Sequence, residues 1–358
     1  MIIAGSFTAP ENISSILVIQ LGDIGDVILT FPTLFALKTT YPHAKLSLLM
    51  REGRSELLEG LPCVDNFFEV RKYRGSYFRR IRDQFIFLKA LRSQRFDLLF
   101  DLRADDRGAV MARISGAAVR GALYYKDVPF WRNRMFTHLT EPAISYEMEG
   151  PTEQSLRIVK SFGIGKDLKI PDFPVTESIR ERVRAMLPID LASRPWITIS
   201  PFSRWSYKDW PYENWIEIVN WLWSEYKIAV LIVGATEERS KADEIIQICR
   251  GRAYNFAGRT KLSELVELIR MSRMHVGVDT GAVHIAAAVG TPTITIYGPT
   301  YLEGWSHPGR KHRAVFSDME CVPCHQVGCN NQHRSICLET LKVERVRMTI
   351  RQALPEVL

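Results

Sequence analysis

A strand, a loop and a helix follow one another in residues 275–300, which read HVGVDTGAVHIAAAVGTPTITIYGPT. The short apolar run His275–Val278 predicts a strand, Gly281–Val289 predicts a helix, and Thr293–Tyr297 predicts the next strand. Strands that alternate with helices in this way indicate a parallel sheet, with ligands bound at the carboxyl ends of its strands. The segment therefore predicts an α/β fold.

The alternation extends through both halves of the chain. Earlier in the second half it predicts the strands Trp196–Ser200 and Ile228–Val233 and the helices Tyr212–Tyr226, Glu237–Cys249 and Leu262–Met271. In the first half it predicts the strand Ile16–Gln20, the helix Asp26–Thr40 and the strands Leu46–Met50 and Asp97–Leu102. Between the halves, residues 170–176 contain two prolines, which suit neither a helix nor a central strand. We place the domain boundary there.

Composition agrees with two globular domains. The chain has 358 residues, of which 46% are hydrophobic, and this is enough to bury two cores.

The charge balance and the apolar runs indicate partner and location. Lys and Arg outnumber Asp and Glu by 47 to 40, which predicts an anionic partner but does not distinguish nucleic acid, phospholipid and phosphorylated glycolipid. No apolar run approaches the roughly 20 residues that span a bilayer. The N-terminus does not resemble a secretory signal, so we expect a cytoplasmic protein.

The first loop with candidate chemistry is Asp279-Thr280-Gly281, where a strand ends and a helix begins. The N–H groups and the positive dipole end of that helix would suit a diphosphate. The alternative is a simple helix cap, in which Asp279 or Thr280 satisfies the first turn and His284 is buried on the helix. Physical chemistry alone leaves both interpretations open.

The second loop is Ser203–Pro211, which carries Lys208 just before a helix. Its ammonium group could stabilise charge that develops on a leaving phosphate, at the same sheet edge as Asp279. The alternative is an ordinary solvated lysine.

The third loop, residues 22–26, places the carboxylate of Asp26 at the end of the first predicted strand. Gly22 and Gly25 suit a tight turn where the backbone approaches a ligand. A sugar hydroxyl must lose its proton to attack an anomeric carbon, and Asp26 could accept that proton. The alternative is that Asp26 only caps a helix.

Together these loops resemble glycosyltransferase family 9, the heptosyltransferases. The residues that carry the resemblance occur in the expected order as Leu21–Val27, Ser203–Pro211, Gly234–Glu238, Gly277–Gly281 with His284, and Tyr297–Thr300. The resemblance implies the α/β fold class GT-B, with two Rossmann-like domains whose parallel sheets face each other across a cleft. It implies an acceptor-binding domain at residues 1–172, a nucleotide-sugar-binding domain at 173–340, and a final helix at 341–358 that packs back on the first domain.

The resemblance also implies a function. The chain would be an inverting glycosyltransferase that moves a heptose from ADP-L-glycero-D-manno-heptose onto the inner core of lipopolysaccharide, without a metal or other cofactor. Asp26 would be the general base and Lys208 would hold the donor phosphates. The other donor-binding residues would be Ser203, Glu238 on the ribose, Asp279, Thr280, Gly281 and His284, and the acceptor-binding residues would be Gly25, Asp26, Arg103 and Arg107.

Within the family, the loop Ser203–Trp205 and residues Trp131–Leu139 look nearest to heptosyltransferase III-type members. Arg204 stands where some members have a small hydroxyl residue, so a side-chain hydroxyl contact at this position is in doubt.

A basic stretch runs from Arg71 to Arg95, with nine basic residues and one acidic residue among several aromatic ones. It suits the surface of an anionic membrane or a phosphorylated lipid core, or else a core-facing helix with a solvated basic rim. Together with the resemblance to family 9, it implies a peripheral protein at the cytoplasmic face of the inner membrane, with an anionic glycolipid as acceptor. No nucleic-acid partner is expected, because no recognised nucleic-acid motif occurs.

A cysteine cluster lies near the end of the chain. Both a tetrahedral zinc site and a set of reduced structural thiols fit its composition. Its residues are Cys321, Cys324, Cys329 and Cys337, with His325 and His333 between them.

Two other enzyme classes share part of this sequence pattern. Another GT-B enzyme, with a different sugar donor or with sugar-nucleotide epimerase activity, would share the donor loops. A dinucleotide-dependent dehydrogenase would need Gly-x-Gly-x-x-Gly after the first strand, where only Gly22 and Gly25 are present.

Overall fold

The structure is a computed structural model that describes residues 1–8, 11–71, 76–103, 105–141, 150–165, 173–300 and 310–356. The chain divides into two compact units, Met1–Pro171 and Asp172–Leu358. The division falls in the segment that contains two prolines. Within the described residues, no helix has the length and the apolar character needed to cross a bilayer.

The first unit is built on a parallel sheet. Its strands are β1 Ile2–Ala4, β2 Ser15–Gln20, β3 Lys45–Arg51, β4 Asn66–Val70, β5 Leu98–Asp101, β6 Val119–Leu123 and β7 His138–Thr140. Its helices are α1 Ile24–Leu29, α2 Phe31–Thr40, α3 Tyr77–Ser93, α4 Asp106–Ser115, α5 Phe130–Asn133 and α6 Pro151–Ser161. The sheet order is β1-β7-β6-β5-β2-β3-β4. Residues 16–19 of β2 are buried on both faces, which explains why the strand is an unbroken apolar run.

The order of the strands fixes where a ligand can bind. From β2 the chain moves outward through β3 to β4 and then returns to the other side of β2 as β5. The winding therefore reverses between β2 and β5, and open α/β sheets bind their ligands at the carboxyl ends of such a pair.

The second unit repeats this plan. Its strands are β8 Trp196–Ser200, β9 Ala229–Ile232, β10 Ala253–Asn255, β11 His275–Val278, β12 Thr293–Ile296 and β13 His312–Val315. Its helices are α7 Glu177–Met186, α8 Tyr212–Tyr226, α9 Arg239–Ile248, α10 Leu262–Met271, α11 Gly281–Ala288, α12 Ile336–Glu339 and α13 Val343–Ala353. The sheet is parallel, in the order β10-β9-β8-β11-β12-β13. Its winding reverses between β8 and β11.

The predicted α/β alternation is confirmed. In the first half, however, one predicted helix is wrong. The helix predicted over residues 26–40 is two helices, α1 and α2, that meet at Thr30. The Thr30 hydroxyl donates a hydrogen bond to the Asp26 carbonyl at 2.8 Å, and Pro32 has no N–H to continue the helical ladder. The break makes α1 a separate short helix that carries Asp26.

The last helix packs into the core of the second unit, and the expectation that residues 341–358 also pack back on the first domain stays a prediction. Val346 and Ile350 of α13 are fully buried in the core of the second unit. The Trp210 indole, also buried there, donates a hydrogen bond to the Leu341 carbonyl at 3.1 Å. The apolar stripe of α13 therefore completes the second unit.

Candidate functional site

The loops at the reversal point of the second unit bring together two residues that lie far apart in the chain. Lys208 ends a 3₁₀ turn, Ser206–Lys208, in the loop after β8, and Asp279 is the first residue after β11. The Lys208 Nζ lies 2.7 Å from the Asp279 Oδ2, with 21% of the Lys208 side chain and 5% of the Asp279 side chain exposed. Lys208 is therefore not an ordinary solvated lysine, because a buried carboxylate holds it.

Asp279 also lies near the buried imidazole of His284. The distance between His284 Nε2 and Asp279 Oδ1 is 3.7 Å, and 4% of the His284 side chain is exposed. His284 is the fourth residue of α11 and is buried on that helix, as the cap interpretation predicted. The carboxylate thus lies between an ammonium group and an imidazole, which fixes its position at the strand end.

Helix α11 begins directly after this carboxylate. Thr280 is its N-cap residue and has an extended backbone, with φ −140° and ψ 172°. Within the described residues the Thr280 hydroxyl caps no amide of the first turn; it lies 3.4 Å from the Ser200 Oγ. The first-turn amides from Gly281 onward and the Lys208 ammonium are thus both at this sheet edge, an arrangement that can bind an anion such as a diphosphate.

Ser203 and Asp209 organise the loop that carries Lys208. The Ser203 amide donates a hydrogen bond to Asp209 Oδ1 at 2.7 Å, and the Trp205 amide donates one to Ser203 Oγ at 3.2 Å. Burial raises the pKa of Asp209 to about 6, against the lowering effect of its hydrogen bonds with Ser203. Sequence reasoning missed Asp209, although its position between Lys208 and Trp210 in the same loop was visible.

The raised pKa of Asp209 leads to a prediction about stability. In an unfolded chain the pKa of aspartate is about 3.9, so between that value and about pH 6 the folded state holds a proton that the unfolded state has lost. Stability therefore falls as pH rises through this window. We expect Asp209→Asn, whose amide oxygen can still accept from the Ser203 amide, to raise the free energy of unfolding by about 2–3 kcal/mol at pH 8 and by about half of that at pH 5.

Urea denaturation at the two pH values measures this effect. Asp190→Asn is the matched control, because the hydrogen bond from the Tyr254 hydroxyl lowers the pKa of Asp190. That substitution should lower stability at pH 8. An Asp209→Asn protein that is no more stable than the wild type at pH 8 would contradict the prediction.

Glu238 follows β9, the neighbour of β8, and so reaches the same sheet edge. Its Oε2 accepts a hydrogen bond from the Ala235 amide at 2.7 Å, within the 3₁₀ turn Thr236–Glu238. Burial raises the pKa of this carboxyl. The predicted contact of Glu238 with a ribose stays a prediction.

In the first unit, Asp26 lies at the reversal point after β2. Its Oδ2 accepts a hydrogen bond from the Asp23 amide at 2.8 Å, so the predicted helix cap is present. The same oxygen lies 3.2 Å from the Arg103 Nη1, and 16% of the Asp26 side chain is exposed. A Cβ at Gly22 would lie 2.4 Å from the Asp26 carboxylate, so the glycine makes room for this side chain as well as for a tight turn.

Arg103 follows β5, on the other side of the reversal point. Its amide donates a hydrogen bond to the buried Asp101 Oδ1 at 3.2 Å, and its Nε lies 3.6 Å from Asp105 Oδ2. The pairing of Arg103 with Asp26 was not predicted. It could have been inferred from the strand order, because Asp26 follows β2, Arg103 follows β5, and these two strands flank the reversal point.

The other two residues assigned to the acceptor differ in exposure. Arg107 is exposed on the first turn of α4, whereas Gly25 is buried within α1. Their roles toward an acceptor stay predictions.

The cysteine cluster gives no support to a zinc site. Within the described residues, which include all four cysteines, no group of three or more His, Cys, Asp or Glu side chains is placed to hold a metal ion. Burial, together with the neighbouring cysteines, raises the pKa of Cys337 to about 11. The Cys329 sulfur accepts a hydrogen bond from the Ile336 amide at 3.4 Å.

Comparison with known proteins agrees with the family that the sequence motifs resemble. The family described as glycosyltransferase family 9 (heptosyltransferase) matches residues 85–334. Lipopolysaccharide heptosyltransferase 3 of Escherichia coli is 26% identical to this chain over 290 residues, which cover 79% of this chain and 84% of that protein.

Two solved structures share the fold over nearly the whole chain. The E. coli ADP-heptose LPS heptosyltransferase II has a TM-score of 0.73 and 20% identity, with 96% of this chain and 99% of that chain covered. The E. coli heptosyltransferase WaaC with ADP-2-deoxy-2-fluoro heptose has a TM-score of 0.71 and 19% identity, with 94% and 99% covered. These likenesses confirm the predicted GT-B fold class.

Proposed function

Because this chain belongs to glycosyltransferase family 9, the heptosyltransferases, we propose that it transfers a heptose from ADP-L-glycero-D-manno-heptose to the inner core of lipopolysaccharide. The observation that carries the proposal is the ion pair between Lys208 and Asp279 beside the start of α11. An ammonium group and helix amides at one sheet edge suit the diphosphate of a nucleotide sugar.

We propose that the second unit binds the donor. The first-turn amides of α11, from Gly281 on, would hold the diphosphate with Lys208, while Asp279 keeps the ammonium group in place. Negative charge accumulates on the leaving ADP as its bond to the anomeric carbon breaks, and these groups would stabilise that charge. The proposed reaction needs no metal ion or other cofactor for this purpose.

In the first unit, Asp26 would act as the general base. The acceptor hydroxyl would give its proton to the Asp26 carboxylate as its oxygen forms a bond to the anomeric carbon of the heptose. The bond from that carbon to the phosphate oxygen breaks in the same displacement, so the configuration is inverted. Arg103, paired with Asp26, and the exposed Arg107 would attract the phosphorylated acceptor.

We further propose that the protein acts as a peripheral protein at the cytoplasmic face of the inner membrane, with no nucleic acid as partner. The net charge of +7 suits both an anionic membrane and an anionic glycolipid acceptor.

A transfer assay tests the function. Purified protein is incubated in EDTA with ADP-heptose and a panel of lipid A-bearing cores that carry no, one or two heptoses, and the products are identified by mass spectrometry. We expect one core to gain a single heptose.

The alternative function, another GT-B nucleotide-sugar enzyme, predicts a different result. A protein that leaves every core unchanged while it accepts another sugar nucleotide, or while it converts the donor into an epimer, would contradict the heptosyl assignment. Transfer that stops in EDTA and returns with a divalent metal would contradict the metal-independent mechanism.

A further inference from the structure

Helix α3 of the first unit has one half that is packed and one half that is not. Toward its end, Leu91 is fully buried and Phe87 packs against the core of the unit. The Arg92 guanidinium donates a hydrogen bond to the Ile114 carbonyl, at the end of α4, at 3.2 Å. These contacts anchor the second half of α3.

The first half, residues 77–86, exposes large apolar side chains to solvent. Phe78 is 82% exposed, Tyr77 70% and Phe85 67%, and about half of Ile81 and Ile86 is exposed. Tyr77, Ile81 and Phe85 are spaced four residues apart, so they lie on one face of the helix. Single exposed apolar residues are common on protein surfaces, but a contiguous exposed apolar patch marks an interaction site.

Cations surround this apolar face. Residues 77–89 contain four basic side chains and one acidic one, and all four basic side chains are exposed. They are Arg79, Arg80, Arg82 and Lys89. An exposed apolar face bordered by Lys and Arg is the composition of helices that lie in the surface of an anionic membrane.

The topology places this half of α3 near the proposed acceptor site. Helix α3 follows β4, and in a parallel sheet the helix after a strand begins at the carboxyl edge. Asp26, after β2, and Arg103, after β5, are at the same edge of the same sheet. The exposed aromatic residues and the proposed base therefore belong to one edge of the first unit.

We infer that the first half of α3 inserts its aromatic face into the surface of an anionic lipid bilayer and holds the acceptor edge of the first unit against it. This inference rests on the proposed function, because it names the surface behind the proposed peripheral location, but it does not depend on the proposed transfer reaction. Aromatic residues suit the boundary between headgroups and acyl chains, and the cations suit anionic headgroups. A second copy of this chain fits less well, because a two-fold interface on this face would bring the same four cations against each other.

Binding to vesicles that contain no glycolipid tests the inference separately from transfer. The probe is large vesicles of phosphatidylcholine with phosphatidylglycerol, compared with phosphatidylcholine alone, in a sedimentation assay. We expect the wild type to bind the anionic vesicles and Phe78→Ser/Phe85→Ser to reduce the partition coefficient by about ten-fold or more. Ile189→Ser is the matched control, because Ile189 is 95% exposed in the second unit, and it should leave partitioning unchanged.

A charge variant provides an independent measurement. Arg79→Gln/Arg82→Gln should reduce partitioning roughly ten-fold or more at low salt, with a smaller reduction at high salt. Unfolding midpoints should match the wild type, because the substituted side chains are exposed.

Two results would overturn the inference. One is that the wild type does not bind the anionic vesicles, or that both variants bind them as strongly as the wild type does. The other is a serine variant that converts an oligomer to a monomer in light scattering while its vesicle binding stays the same, since the face would then be a contact between copies of this chain.

Discussion

Asp26→Asn is expected to lower kcat for heptose transfer by about 10²–10⁴-fold, the range that general base catalysis contributes. The amide cannot take the proton of the acceptor hydroxyl at neutral pH. Its oxygen can still accept the hydrogen bond from the Asp23 amide, which is 2.8 Å from the carboxylate in the wild type. The helix cap should therefore survive, and the unfolding midpoint should change little.

Steady-state kinetics with ADP-heptose and the accepted core measures the effect. The Kd for ADP should stay within about two-fold of the wild-type value, because the groups proposed to bind the donor belong to the second unit. Asp106→Asn is the control, since it removes an exposed carboxylate from the first turn of α4, close in sequence to Arg103. Asp26→Asn activity within a few-fold of the wild type would exclude Asp26 as the base.

Lys208→Met is expected to lower kcat/KM for the donor by about 10²–10³-fold, because it removes the charge that we propose stabilises the leaving diphosphate. It also leaves the buried Asp279 without the ammonium group that lies 2.7 Å away in the wild type. We therefore expect a loss of stability of about 2 kcal/mol as well. A loss of activity in this variant alone would not separate the two effects.

The double variant Lys208→Met/Asp279→Asn separates them. Neutralising Asp279 removes the uncompensated buried charge, so the unfolding midpoint should recover while transfer stays low. Lys208→Arg keeps the positive charge and should retain more activity than Lys208→Met. If the double variant recovers transfer along with stability, Lys208 acts only as a structural partner of Asp279.

The sequence predicted the local elements of the second unit well. The strands Trp196–Ser200 and His275–Val278 and the helices Tyr212–Tyr226 and Leu262–Met271 have the bounds that the apolar pattern predicted. Short edge strands such as β1 and β10 were missed because three residues give no readable periodicity. The break at Thr30 was missed because the apolar pattern continues across Pro32 from one helix to the next.

The pairs in the candidate site were harder to predict. Lys208 and Asp279 are 71 residues apart, and Asp26 and Arg103 are 77 residues apart. Motifs identified three of these four residues as candidates for chemistry, but only the strand order shows which side chains meet. Arg103 was expected to bind the acceptor, and its contact with Asp26 depends on β5 lying beside β2.

The two reversal points lie in different units, and this separation bears on how such an enzyme changes its specificity during evolution. The residues proposed for the donor all come from the loops and first helical turns that follow β8, β9 and β11, and those proposed for the acceptor come from the loops and first helical turns that follow β2 and β5. A recombination event near residue 171, where the chain divides, would exchange one of these sets whole and leave the other intact. A protein that acquires a complete first unit in this way would change its acceptor preference in one step. No coordinated series of point mutations in the second unit would be needed.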